Sequence, residues 1–450
     1  MRLINVLPLL AITSTCLAQP ATPSALDTLL VKAKAGNQWA MLALASVYGD
    51  DVHADTPPDF ELPAAERGLW DLAIKAADER KHEFSGESMA QWLLKAAETG
   101  NLLGLDEASN LYETGQFGVT KDTKRAVEML KTAAERGSYV SAACLAQRYE
   151  DGSCGLTKDQ AEAKRYYAMA LPILNHRVEA GDNRAKFWLS RFYRDGVGGV
   201  EKDGHKANEL LRAAAQGGNA TAMSSWGRVL LLGSDGQPRD TTEAVIWIRK
   251  AIAHGSPSGM YRLATLIRTG KLPDENPADG IKWMKHSAER GYILAMHDLA
   301  DIYRTGDPWL PQNLDRAKQW YNRAADADWD FAMHELGMIA FTARPPDYPT
   351  AIEWFTKAAA LGNTDSMMML ASRYRHGGAG LPADATKAVE LYKQAADADN
   401  TEAMVELAMC YRDGIGGLAK NPAKANELLR AAAAKGSARA KALLKGDSRR

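Results

Sequence analysis

Residues 400–436 read NTEAMVELAMCYRDGIGGLAKNPAKANELLRAAAAKG, and residues 363–399 read NTDSMMMLASRYRHGGAGLPADATKAVELYKQAADAD. The two stretches match in phase over their whole length. In the first half of the later copy Ala403, Leu407, Ala408 and Tyr411 fall three and four residues apart. In the second half Ala425, Leu428 or Leu429, and Ala432 do the same. That spacing puts the apolar side chains on one face of an α-helix, so each copy reads as two amphipathic helices. One pair cannot bury both apolar faces alone. Stacked neighbours can, and tandem copies of this period therefore predict a solenoid.

Earlier copies run from 101–137, 138–181, 182–218, 219–255, 256–291, 292–328 and 329–362. Their closing residues, such as Gly137, Gly218, Gly255, Gly291, Asp328, Gly362, Asp399 and Gly436, are mostly 36 or 37 apart. The first helix ends at a glycine such as Gly196, Gly377 or Gly414, suited to a left-handed C-cap. The second begins after Asp122, Asp159, Asp203, Asp240 or Asp384, whose carboxylates can cap free amides. A Lys-Ala or Arg-Ala pair commonly follows, as at Lys206-Ala207 and Lys424-Ala425. The fold class this predicts is all-α, a right-handed superhelical solenoid of about ten helix-turn-helix repeats.

The pattern A-x3-L-[AG]-x2-Y-x2-G-x-G-[GVL], then D-x3-A-x2-[WL]-x3-AA-x2-G, resembles the Sel-one-like repeat, a variant of the tetratricopeptide class. Tyr193-Arg194-Asp195-Gly196-Val197-Gly198-Gly199-Val200 and Lys387-Ala388-Val389-Glu390-Leu391 carry it. The resemblance implies an adaptor or scaffold that holds partners on a superhelical surface. It also implies cell-wall-directed hydrolase activity for cysteine-rich members, whose regular paired cysteines this chain lacks.

Departures from the repeat mark where to look for function. Residues 50–86 interrupt the first copy with Pro57-Pro58, Pro63 and an extra amphipathic stretch at 62–81. Copy 138–181 has seven extra residues, about two helical turns, so its second helix should project, with a kink at Pro172. Copies 219–362 replace the Gly-x-Gly loop with proline-bearing loops such as Lys271-Leu272-Pro273 and Pro308-Trp309-Leu310-Pro311. Residues 25–36 resemble a lone second helix and 437–444 a lone first helix, the half-repeats that shield the end faces.

The formal charge is −1, from 55 basic and 56 acidic residues, with no basic run to attract nucleic acid. Residues 1–18 have a short positive start, an apolar run over 3–12 and small residues before Gln19, which predicts a secretory signal peptide cleaved after Ala18. Lipidation at Cys16 fits poorly, because Thr13-Ser14-Thr15 precedes it. No other segment is apolar and long enough to span a bilayer. The expected organisation is a signal peptide at 1–18, an N-terminal cap and interrupted first repeat at 19–100, the array at 101–436, and a capping helix and tail at 437–450. Export predicts a periplasmic or secreted protein from a Gram-negative-type cell. Cys144, Cys154 and Cys410 are too few for a disulfide scaffold. Cys144 and Cys154 flank a helix end, which leaves either a local disulfide or plain thiols.

No zincin, CxxC, P-loop or nucleophile-elbow motif is present; His334-Glu335 lacks the second histidine of a zincin. The chain therefore reads as non-enzymatic, with no cofactor. Aligned copies stack equivalent residues into ladders. Arg194, Arg268, Arg304, Arg375 and Arg412 follow the tyrosine slot, and could grip anionic groups or simply offset the helix C-terminal dipole. His297 and His334 share one slot, and with Asp301 could converge on a divalent metal, or serve as plain hydrogen-bonding groups. Trp92, Trp247, Trp283, Trp320 and Trp354 occupy the slot held elsewhere by leucine or methionine, which predicts core positions. Trp309 and Trp329 lie outside that slot, and are the better candidates for ligand contact. The expected function is protein–protein scaffolding on the concave face lined by first helices, especially the polar slots of residues 191–412, by a monomer in the cell envelope. The alternatives are binding of peptidoglycan or an acidic exopolysaccharide, or the weak cell-wall-directed hydrolase activity that the resemblance implies. The irregular middle, 219–362, is where the partner is expected.

Overall fold

The computed structural model describes residues 24–49, 66, 68–80 and 84–447. Among them are 23 α-helices and no β-strand beyond two isolated bridges, Asp307 with Leu310 and Gly378 with Leu381. The expected signal peptide and Pro57, Pro58 and Pro63 lie outside the described residues.

From Leu102 onward the helices alternate in pairs, each pair one copy of the repeat. First helices start on short polar caps. Asn101, Ser138, Asp182, Asn219, Ser256, Asn363 and Asn400 each accept a bond from a backbone N–H in the first turn. Second helices start on Asp122, Asp159, Asp203, Asp240 and Asp384 in the same way, as the sequence predicts. At first-helix ends Gly196 and Gly414 are left-handed C-caps. Gly377 differs. Its φ is positive but its ψ of 173° is extended, because the chain turns directly into the Gly378–Leu381 bridge.

Two contacts recur inside the copies and explain the repeat signature. The N–H of the capping residue donates to the carbonyl of the first-helix tyrosine: Asp122 to Tyr112, Asp159 to Tyr149, Asp203 to Tyr193, Asp384 to Tyr374 and Asn421 to Tyr411, at 2.6–2.8 Å. This bond sets the angle between the helices. The cation of the Lys-Ala or Arg-Ala pair then lies over the same tyrosine ring. Lys206 is 4.2 Å from the Tyr193 centroid and Arg125 is 4.5 Å from that of Tyr112. The alanine beside the cation points the other way and is buried, as Ala126, Ala207, Ala317 and Ala388 show. Small side chains at this seam let helices pack at about 8–10 Å. A close approach of this kind also joins neighbouring copies at Gly104, where a Cβ would come within 2.7 Å of the Ala97 nitrogen.

Between copies the chain reverses through a left-handed residue. Glycine takes that position in most copies, and Asp328 and Asp399 adopt φ of 57° and 66° in the same slot. The helix Gln160–Glu179 of the long copy has 20 residues against 13 in most others, with Pro172 inside it.

At each end of the described residues a helix covers the neighbouring pair. At the C-terminus Ala438–Asp447 covers the last pair, with Ala440 fully buried. Near the start of the described residues, helix Ala25–Lys34 packs against Gln38–Gly49 and against a helix that the interruption supplies. Helix Gly68–Glu79 buries Leu69, Ala73, Ala76 and Ala77 against it. The Glu79 carboxylate accepts bonds from Ala25 N at 2.9 Å and Leu26 N at 3.2 Å, satisfying free amides of that helix.

The superhelix also touches itself. Gln116 Nε2 donates to the Gly291 carbonyl at 3.3 Å, and Lys121 Nζ to the Asp326 carbonyl at 2.9 Å while pairing with Asp328 at 2.5 Å. The Arg290 guanidinium lies 4.8 Å from the Phe84 centroid, and Phe84 meets Phe117 edge-on at 5.8 Å. The loop of copy 101–137 is thereby joined to the ends of copies 256–291 and 292–328.

Candidate functional site

That turn curves around two adjoining, half-open hollows of about 710 and 650 Å³, which share Leu103, Arg184, Gly218 and Asn219 in their walls. The walls are built from the reversals between copies, at Gly100, Gly137, Gly181, Gly218, Gly255 and Gly291, with the first turns of the helices that follow. Trp39 and Tyr139 supply aromatic surface to one hollow; Trp70, Phe187, Trp188 and Tyr292 supply it to the other. The two extra turns of Gln160–Glu179 are used here, because Ile173 and Arg177 form part of the wall.

Polar groups in the hollows are organised by ion pairs that bridge copies. Arg184 donates to Glu107 at 2.8 Å, across two copies, and Arg177 pairs with Asp182 at 3.1 Å. Asp106 Oδ1 accepts from Ser138 Oγ at 2.7 Å and Ser141 Oγ at 2.5 Å. Burial raises the Asp106 carboxyl above its ordinary value, against the lowering pull of Arg184 and the two serines. The arrangement offers apolar rings beside fixed charges of both signs.

The five ladder arginines are engaged with carboxylates. Arg194 and Arg412 bond the next residue, Asp195 at 2.8 Å and Asp413 at 3.1 Å. Arg268 reaches Asp307 of the following copy at 3.2 Å, and Arg375 reaches Glu406 of the following copy at 2.5 Å. Arg304 bonds Asp301 at 2.9 Å and lies 3.5 Å from Glu335. Glu406 also takes Arg439 at 2.7 Å, so the ladder continues as an ionic seam between copies.

The histidine pair does not converge as the sequence suggests. His297 Nδ1 lies 3.3 Å from Asp298 Oδ1 and 3.6 Å from Asp301 Oδ2, on its own helix. His334 Nδ1 instead lies 2.8 Å from Ser366 Oγ of the following copy. With adjacent helices about 8–10 Å apart, each ring takes its nearest partner, His297 on its own helix and His334 on the following copy. Asp298 enters the cluster in place of His334.

A profile of the Sel1 repeat matches residues 102–138, 142–171, 183–219, 220–256, 257–292, 293–329, 330–363, 364–400 and 401–437. The chain belongs to the Sel1 repeat family. Among curated relatives, chitin synthase regulatory factor 3 of Schizosaccharomyces pombe is 27% identical over 208 residues, 44% of this chain and 22% of that protein. The chitin synthase regulator SKT5 of Saccharomyces cerevisiae is 26% identical over 224 residues, 46% of this chain and 32% of that protein. The matches thus span a third or less of these relatives. Among solved structures, the uropathogenic Escherichia coli protective antigen c5321, described as an SLR fold, is 23% identical, covers 90% of this chain and 86% of its own, and has a TM-score of 0.47. A Sel1 repeat protein from Oxalobacter formigenes is 24% identical over 71% of this chain and 89% of its own, also at 0.47.

Within this Sel1 array the tryptophan slot differs from expectation. Trp92 is buried, but Trp247, Trp283, Trp320 and Trp354 are only half-buried at the edge of the core. A cation three residues on covers most of these rings: Lys95 on Trp92, Lys250 on Trp247, Arg323 on Trp320 and Lys357 on Trp354, at 4.4–4.5 Å. Residues three apart meet on a helix surface, so a ring here is shielded by its own helix rather than by a neighbouring one. Trp309 is 50% exposed in its loop. Trp329 stands half-buried at the N-terminus of Asp330–Thr342, 5.6 Å from the half-exposed Phe331 and 6.4 Å from His297. Among the described residues Cys144, Cys154 and Cys410 are free thiols, and burial pushes Cys144 and Cys154 up to about 11. No helix among the described residues is long and apolar enough to cross a membrane.

Proposed function

We propose that this chain is a non-catalytic Sel1 scaffold that holds a segment of another protein in its axial hollows. The observation that carries the reading is the pair of adjoining hollows, about 710 and 650 Å³, walled by the reversals of six copies. Their mix of aromatic rings and fixed, paired charges suits an extended peptide, with the rings taking its side chains. Family membership and the naming of fungal relatives as regulators support a binding role. The ladder arginines support it against the polyanion alternative, because each guanidinium already has a carboxylate of this chain beside it. The layout of residues 2–18 supports export, so the partner is sought in the cell envelope.

The test is a photo-crosslinking residue at Thr221, which lines a hollow and is exposed, compared with one at Ile246 on a second helix, 51% exposed. Thr221 should yield a discrete crosslinked protein that is lost on Trp188→Ala in a chain of unchanged helicity. Equal yields from both positions, or a Thr221 product indifferent to Trp188→Ala, would refute the reading.

A further inference from the structure

We propose that His297, Asp298 and Asp301, on the helix Ile293–Thr305, form a binding site for a divalent transition-metal ion of the zinc type. The three residues each present one donor atom, and these atoms lie within 4.8 Å of one another. The spacing suits a metal. Zinc bonds of about 2.0–2.2 Å to nitrogen and carboxylate oxygen, at tetrahedral angles, place ligand atoms about 3.4 Å apart. Here the imidazole Nδ1 stands 3.3 Å from Asp298 Oδ1 and 3.6 Å from Asp301 Oδ2.

The second oxygens of both carboxylates are held from outside the triad. Asp301 Oδ1 accepts from the Tyr321 hydroxyl at 2.6 Å and from Arg304 at 2.9 Å. Asp298 Oδ2 accepts from the Tyr261 hydroxyl at 2.9 Å. Each carboxylate thus has one oxygen tied back by a tyrosine and the other turned toward the imidazole, as outer-shell partners orient metal ligands. The two tyrosines come from the preceding copy and from the second helix of the same copy, so the array itself fixes the donors.

Charge agrees with a dication. Asp298, Asp301 and Glu335 carry three negative charges and Arg304, beside Asp301 and Glu335, carries one positive. A neutral imidazole leaves a net charge of −2, which a divalent ion cancels. The nitrogen donor favours zinc or a neighbouring transition ion over magnesium or calcium, which prefer oxygen. The donors are 20–38% exposed, so an ion can enter and one or more positions remain for water.

The test uses the untagged full chain, freed of metal by chelator, titrated with Co²⁺ and Zn²⁺ by calorimetry and visible absorption. Expected are saturation at one equivalent, a Co²⁺ spectrum of low coordination with nitrogen and oxygen donors, and a rise in Tm with Zn²⁺. His297→Gln and Asp298→Asn, checked for wild-type helicity, should each weaken binding at least tenfold. Tyr261→Phe should weaken it by about tenfold while leaving the donors in place. Absence of saturable binding overturns the proposal, as does wild-type affinity in His297→Gln; in either case the triad is a histidine held between two carboxylates and no more.

Discussion

Tyr321→Phe isolates the contribution of one buried hydroxyl. The ring is fully buried, and its oxygen donates to Asp301 at 2.6 Å and accepts from Arg304 Nε at 3.1 Å. Phenylalanine keeps the ring and its packing, so cavity formation contributes little. What is lost is two hydrogen bonds to charged groups, each worth about 1.5–3 kcal/mol where water cannot substitute. Asp301 and Arg304 are 36% and 37% exposed and bonded to each other, so water and that pair recover part of the loss. The expected net cost is about 2 kcal/mol. In a stacked array each copy contacts only its neighbours, so the loss should stay local. Amide hydrogen exchange in Ile293–Thr305 and Leu314–Asp326 should quicken about 30-fold, the factor that 2 kcal/mol represents. Exchange in Pro422–Ala434 should not change. A change under twofold in the first two helices would show that the hydroxyl adds nothing, and equal acceleration everywhere would show that the array unfolds as one unit.

Arg375→Ala should cost about 2 kcal/mol in urea unfolding, because the Arg375 and Glu406 side chains are only 19% and 17% exposed and Glu406 keeps a partner in Arg439. Adding Glu406→Gln should recover part of that loss, and strictly additive costs would show that the two do not couple. His254 is held below the ordinary imidazole value by burial and by Lys250, against the bond between its Nδ1 and the Gly218 carbonyl at 3.2 Å. Its neutral form is the folded one, so the stability it adds is present above about pH 6.5 and is lost as pH falls through the lower folded value. The drop in Tm between pH 7.5 and pH 5 should therefore be smaller in His254→Asn, and an unchanged drop would refute the assignment.

Helix phase and caps were legible because each depends on residues within one copy. Asp203 caps because of the amides beside it, and Lys206 stacks on Tyr193 within the same helix pair. The hollows were not legible. Their walls join Trp39, Tyr139, Trp188 and Tyr292, and only the curvature of the coil determines that these face one another. The regularly spaced closing glycines marked the wall, yet they read first as turn punctuation. The metal triad was half legible: His297 and Asp301 are one turn apart, whereas Asp298 required the Tyr261 hydroxyl to turn it, and His334 had a nearer partner in Ser366. The irregular loops point to 219–362 for the partner, whereas the hollows are lined mostly by residues before it, because their position depends on curvature rather than on loop composition.

The link from Lys121 and Gln116 to Asp328 and Gly291 constrains how such an array can lengthen. A copy added after Asp328 extends a free end and disturbs nothing behind it. A copy added or deleted between 138 and 255 shifts Gly291 by a full step around the coil, and Gln116 then faces a different reversal or none. Duplication and loss, the easy route by which tandem arrays change length, is thus open toward the C-terminus and closed within the first turn.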